Sequence, residues 1–342
     1  MAELTLDVFN DDAFSVTSLS DTIDNLIYRP GRIGQLGLFE DESINTTTAA
    51  FELRGDIITL VAPTPRGGPG VTVAKDKRSM RAFIVPHFQI DDAVYAEEVQ
   101  GIRAYGTTSA LEQLSGKIAR RLQQHNNSMG VTEEFSRLGA VKGVITYADG
   151  STLNLFDEFG VTQEGTIGFD LSTSVKGALR KKCMAVTRTM AGVLGGIPFG
   201  GILAVCGDDF FDALIANEEV RETYLNQQAA NQLRDAYGDG GSNGIYGSFK
   251  FGGITFENYR GAIIDGKTFI GTNDCHMVPL GVSGLFKSLR APADYIQTVN
   301  TMGMRMYAKQ YRMPNDKGIN LEVQTNSLHL CKRPKALLKG AK

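Results

Sequence analysis

Residues 51–62 (FELRGDIITLVA) and 71–85 (VTVAKDKRSMRAFIV) both read as strands, joined by a proline- and glycine-rich tip at 63–70. Two such strands make a long hairpin whose composition offers little apolar surface for a core of its own. A hairpin of this kind is marginal alone and needs something to lie on. The residues before it, 1–50, lack sustained periodicity and read as an extended arm. The core must therefore be built further along the chain.

There the patterning strengthens. Asp91 and Asp92 are expected to cap a short helix that turns Val94, Val99 and Ile102 inward. Ser109 with Glu112 three residues on has the spacing of a capping box. Leu111, Leu114, Ile118 and Leu122 continue as an apolar stripe, with Lys117, Arg120 and Arg121 facing water. The stripe resumes at Met129, Phe135 and Leu138, which predicts one long helix to about Gly139. VITYADGSTLNLF (144–156) reads as a hairpin with Asp149–Gly150 in a type I′ turn. Residues 175–194 read as helical, and 202–206 as a buried strand entering a second helix through Gly207–Asp208–Asp209. That helix carries Phe211, Leu214, Ile215, Val220 and Tyr224 and is expected to run on toward Tyr237. FKFGGITFENYRGAIIDGKTFIG (249–271) reads as successive short strands, and 321–330 has strand character. Strand and helix are intermixed without regular βαβ repetition, which is the α+β class.

At 342 residues the chain has room for one large domain or two modest ones, and 21% charged residues is ordinary globular usage. No apolar window is long enough for a membrane helix. The first residues carry acids where a signal peptide would carry lysines, so secretion is not expected. The four cysteines (Cys183, Cys206, Cys275, Cys331) are widely spaced and read as reduced, mostly buried thiols. A net charge of −3 gives no global pull toward nucleic acid or anionic lipid. The charge is nonetheless unevenly placed. Before Arg29 stand six acids and no base; from Arg66 to Arg81 five bases face one acid; after Cys331 come five more bases. Either these are solvated segments, or acidic and basic arms seek each other across subunits. Nothing local decides between the two.

Catalytic motifs fare poorly. Residues 261–268 (GAIIDGKT) satisfy the pattern of a phosphate-binding loop, whose backbone N–H groups must curl around phosphates and feed a helix. Ala, Ile, Ile and Asp inside the loop favour a strand instead, and Asp265–Gly266 suits a hairpin turn. The four histidines show no metal-ligand spacing. Adjacent Cys275 and His276 suit a nucleophile–base pair badly, because neighbouring strand residues point to opposite faces. The acid pairs 91–92, 97–98, 133–134 and 208–209 read as helix caps and first-turn charges. No enzyme activity, metal or cofactor is expected.

Six blocks carry a resemblance. They are PHFQIDDAVYAEEVQGIRAYG (86–106), EEFSRLGAVKGVITYADGSTLNLFDEFG (133–160), AVCGDDFFDALIANEEVRETY (204–224), FGGITFENYRG (251–261), PLGVSGLFKSLRAPADYIQTVNTMG (279–303) and EVQTNSLHLCKRP (322–334). In this order they resemble the major capsid protein E family of tailed bacteriophages, the lambda-type head protein. The arm and the hairpin tip are the divergent parts.

The resemblance implies the Hong Kong 97-type phage capsid fold. It would divide the chain into an N-terminal arm (1–50), an E-loop hairpin (51–85), a peripheral domain with a spine helix (86–174), an axial domain (175–318) and a return to the peripheral domain with a basic tail (319–342). It implies a major head protein that self-assembles, as hexamers and pentamers, into the icosahedral shell enclosing the phage genome. A precursor shell would expand on maturation. The implied partners are copies of itself, a portal, a scaffold and decoration proteins, with double-stranded DNA enclosed but not read by sequence, and no membrane. The implied location is the virion, with the host cytoplasm during assembly. A prophage-derived or cellular nanocompartment shell of the same fold is the alternative. Within that frame, Asp7, Phe9, Asp11 and Asp12 of the arm and Arg66, Lys75, Lys77, Arg78 and Arg81 of the hairpin are the expected inter-subunit contacts.

Overall fold

The structure is a computed structural model, and it describes residues 31–54, 78–99, 110–173, 175–225, 247–259, 268–314 and 317–342. In chain order the elements begin with α1 (Arg32–Gln35), β1 (Phe39–Ser43), the hairpin strands β2 (Thr48–Arg54) and β3 (Arg78–Ile84), then β4 (His87–Tyr95), α2 (Ala96–Val99) and α3 (Ala110–Lys142). Next come β5 (Val144–Thr146), β6 (Thr152–Asn154), α4 (Leu155–Phe159), β7 (Ile167–Gly168), α5 (Ala178–Leu194) and β8 (Gly201–Cys206). The rest are α6 (Asp208–Ala216), α7 (Glu218–Leu225), β9 (Ser248–Phe251), β10 (Ile254–Asn258), β11 (Asp274–Leu280), β12 (Phe286–Arg290), β13 (Tyr307–Arg312), β14 (Gly318–Cys331) and β15 (Leu338–Ala341).

Two sheets organise them. The first is built on β14, which is 14 residues long and pairs with β12, β13 and β4, with β1 added in parallel to β12. The second runs β7-β15-β11-β8-β10-β9. The α3 helix lies on the first sheet: Ile118, Leu122 and Met129 pack with Val94, Leu321, Val323 and Met306. Burying one such side chain is worth roughly 1.5–3 kcal/mol, which helps keep a 33-residue helix continuous across the Asn126–Asn127 step. Gly139 is where α3 meets β5; a Cβ there would lie 2.8 Å from the Ile145 Cα. On the second sheet, α5 and α6 cover one face, with Cys183, Val186, Met190, Phe210 and Phe211 against Ala204, Phe256 and Met277. Leu203, Val205 and Val278 point the other way, into a core shared with the end of α3, α4 and β12.

Several local expectations are corrected. Asp91 and Asp92 cap no helix: they lie in β4, opposite Glu322 and Leu321 of β14. HFQIDDAVY follows period 2, with Phe88, Ile90 and Val94 turned toward α3. Asp92 instead meets His125 (2.9 Å) and Arg121 (3.3 Å) of that helix, so Arg121, like Lys117 beside Glu98, is paired rather than merely solvated. The 146–152 turn is not type I′, since among the described non-glycine residues only Asp170 and Asn300 have positive φ. Gly150, at φ 88°, donates to the Tyr147 carbonyl and Tyr147 to that of Ser151, the pattern of a type I turn closed by a glycine bulge. β6 stops at Asn154, whose side chain accepts from the Phe156 N–H and starts α4.

The helix after β8 is broken at Asn217. There ψ is 133°, the side-chain oxygen caps Glu219 N–H, and the side-chain amide donates to the Leu171 and Thr173 carbonyls. Residues 226–246 and 260–267 are outside the described residues, so the extension toward Tyr237 and the 261–268 motif are not tested. Phe269 and Ile270 are buried but lie outside any strand. Among the described residues no helix is long and apolar enough to cross a membrane.

Candidate functional site

Two kinds of feature stand out: surfaces built to be covered, and a buried ionic junction that fixes how they are held. The β2–β3 hairpin runs from Thr48↔Ile84 to Arg54↔Arg78 in strict antiparallel register. Strand alternation gives it two unlike faces. One is anchored: Ala49 and Phe83 are buried, and Phe83 packs between Phe51 (5.6 Å) and Phe159 (5.5 Å). The opposite face presents Met80, Ala82 and Ile84 beside Thr48 and Ala50, all exposed, Met80 at 76% and Ile84 at 80%. Large apolar side chains aligned on one exposed sheet face mark a contact surface.

A second apolar patch lies between β12 and β13. Ile296 is 91% exposed, and Val299, Met302 and Met304 stand open beside it. Met302 also walls a cleft of about 280 Å³ that runs to the base of the hairpin, with Ile44, Ala49 and Phe51 on its far side.

Behind these surfaces lies the junction. Glu133, in the C-terminal third of α3, is ion-paired with Arg290 of β12 and flanked by Arg305 (3.4 Å) and Arg137 (3.7 Å). Arg290 reaches Asp41 of β1 at 3.5 Å. Burial pushes the Glu133 carboxyl up, but the three guanidiniums outweigh it and hold it below the usual carboxylate value. The next residue behaves in the opposite sense. Glu134 accepts from the N–H groups of Ile33 (2.6 Å) and Gly34 (3.0 Å) and from the Tyr259 hydroxyl (3.0 Å). Burial dominates there and raises its carboxyl. Arg32 completes the joint through a bidentate pair with Glu257 of β10. Thus α1, where the described chain begins, is clamped to α3 and to the second sheet. The 133–134 pair is a buried fastener rather than a first-turn charge, which corrects the sequence reading.

Of the expected contact residues, Asp7, Phe9, Asp11, Asp12, Arg66, Lys75 and Lys77 lie outside the described residues. Arg78 sits opposite Arg54 in the hairpin, and Arg81 is exposed on β3 near Gly160. Sequence reasoning missed Met80 and Ile84, although alternation about Phe83 carries the signal. Cys275 and His276 do face opposite ways: Cys275 joins the core under α5, and His276 turns toward Lys142, where burial and that lysine push its imidazole down to about 4. No nucleophile–base pair forms.

The phage major capsid protein E family matches residues 15–342 of this sequence. The chain belongs to that family. The major capsid protein of Pseudomonas phage KPP10 is 28% identical over 331 residues, covering 91% of this chain and 92% of that one. The major capsid protein of Salmonella phage Felix O1 is 26% identical over 353 residues, covering 95% of each. Among solved structures, a protein described as a capsid protein of an E. coli CFT073 prophage superposes with a TM-score of 0.60 at 12% identity, over 95% of this chain and 98% of that one. The fold is the Hong Kong 97-type capsid fold, of α+β class. This is a phage major capsid protein, a structural part of the virion that builds a shell with copies of itself. For such a chain the working surfaces are subunit contacts, so the hairpin face and the 296–304 patch are its candidate sites.

Proposed function

We propose that the chain forms the closed icosahedral shell around a double-stranded DNA genome, by way of a precursor shell that expands on maturation, and that it has no catalytic role. In this reading 1–50 is an arm, 51–85 the E-loop, 86–174 and 319–342 the peripheral domain with α3 as spine, and 175–318 the axial domain, with β12 and β13 reaching back into the first sheet and β15 crossing into the second. Hexamers and pentamers assemble in the host cytoplasm with a scaffold and portal, and decoration proteins bind outside.

The observation that carries the reading is the hairpin's exposed apolar face, which a lone subunit leaves in water. Covering it on a neighbour recovers the entropy lost in ordering an extended hairpin. Individually modest contacts then add up, because a closed shell engages each subunit several times. Expressed alone and viewed by negative stain, the protein is expected to give closed shells of uniform curvature. A stable compact monomer at high concentration would overturn the reading.

The acidic arm has an electrostatic part in this scheme. Its six acids and no bases before Arg29 suit a basic surface on a neighbour, Arg66, Lys75, Lys77, Arg78 and Arg81 being the candidates. Exposed ion pairs contribute about 0–1 kcal/mol each and are screened by salt. Replacing Asp7, Asp11 and Asp12 together by asparagine should therefore shift the assembly midpoint at low salt and hardly at all at molar salt. Equal shifts at both would remove charge from the account.

A further inference from the structure

Three of the four cysteines gather in the core of the second sheet, and two of them meet. Cys206 of β8 and Cys275 of β11 are directly opposed in an antiparallel pair, with their sulfurs 3.5 Å apart. The Gly207 N–H donates to the Asp274 carbonyl, so 207/274 is a hydrogen-bonded pair and 206/275, the next one in, is not. The Cys206 carbonyl accordingly points the other way, accepting from the Tyr259 N–H. At such non-hydrogen-bonded positions opposed Cα atoms lie about 4.5 Å apart, just inside the range of about 4.4–6.8 Å found in disulfides. Both thiols are reduced and fully buried.

We propose that Cys206 and Cys275 are an oxidation site: a small peroxide converts the pair into a disulfide that staples β8 to β11. One sulfur attacks a peroxide oxygen, the O–O bond breaks, and a sulfenic acid and water form. The second sulfur attacks the first, the S–S bond forms, the S–O bond breaks, and a second water leaves. Two thiols and one hydrogen peroxide thus give one disulfide and two waters. The pair remains as thiols in a reducing compartment. Burial holds the Cys206 thiol well above its ordinary value, so thiolate is scarce and closure is slow. Since β8 and β11 are the central strands of the six-stranded sheet, the staple would lock the middle of that sheet within each subunit. Closure at the near end of the Cα range leaves the bond strained and readily reduced.

The test uses the full chain incubated with hydrogen peroxide, unfolded, alkylated and mapped by mass spectrometry. Two of the four thiols should be lost to a Cys206–Cys275 cross-linked peptide. The unfolding midpoint should rise by several degrees and return on adding dithiothreitol. Cys275→Ala should abolish both the linked peptide and the rise. The proposal is overturned by four alkylated cysteines, by sulfinic or sulfonic acid in place of the link, or by a link through Cys183 or Cys331. A peroxide-induced rise that survives in Cys275→Ala overturns it too. Should that variant not fold, the peptide map of the unmodified sequence decides alone.

Discussion

Glu133→Gln is expected to destabilise the subunit by about 3–5 kcal/mol, enough to prevent shells from forming at all. Glu133 is 2% exposed and Arg290 4%, and removing the acid that Arg290, Arg305 and Arg137 share leaves guanidinium charge short of a partner away from water. Glu134→Gln should cost far less, about 1–2 kcal/mol, because the amide oxygen still serves the Ile33 N–H and the Tyr259 hydroxyl and only the bond to Gly34 is lost. The pH dependence separates the two. Glu133 has a lowered carboxyl in the fold, so its stabilisation is present above the ordinary value of 4.5 and disappears as pH falls through the lowered one. The stability gap between Glu133→Gln and the unchanged chain should therefore close in acid. Glu134 has a raised carboxyl, so its contribution is fullest below 4.5 and is lost as pH rises through the raised value. Urea titrations at pH 7 and at steps below 4.5 would show this. A Glu133→Gln gap that stays constant into strong acid would mean that packing, not charge, sets the cost.

The same junction explains what the sequence could and could not reveal. The α3 stripe from Ile118 onward, the buried β8 strand, the glycine-led start of α6 and the strand character of β14 were all legible, because each is written in local periodicity or capping chemistry. Glu133–Glu134 was misread as a first-turn pair, since its partner Arg290 lies 157 residues away and no local pattern announces it. Asp91–Asp92 failed for a related reason: an acid pair before an apolar run fits a cap and a strand equally well until β14 arrives to pair with it. Asn217 breaks what looked like one continuous helix because its side chain has two carbonyls to serve on the 171–173 segment. The six family blocks carried the function, whereas the hairpin's want of a private core said only that it needs another surface to lie on.

Replacing Met80 and Ile84 together by aspartate is expected to leave a folded subunit that makes no shells. Both side chains are largely in water in the single chain, so their loss removes almost no internal packing. Aspartate is a poor strand residue, but the anchored face, with Phe83 between Phe51 and Phe159, is untouched and should keep the hairpin seated. In the shell the balance reverses. Burying each apolar chain on a neighbour is worth roughly 1.5–3 kcal/mol, and an unpaired carboxylate placed there adds a desolvation penalty of its own. Every subunit of a closed shell bears the same loss, so a few kcal/mol per contact is multiplied over the whole assembly. The variant should elute as a soluble subunit with an unchanged unfolding midpoint, at concentrations where the parent is fully assembled. The milder Met80→Ser with Ile84→Thr should raise the assembly threshold without abolishing shells, and it guards against an effect of aspartate on the strand itself. Normal shells from the aspartate variant would show that this face looks onto solvent in the assembled head and that the hairpin makes its contacts elsewhere.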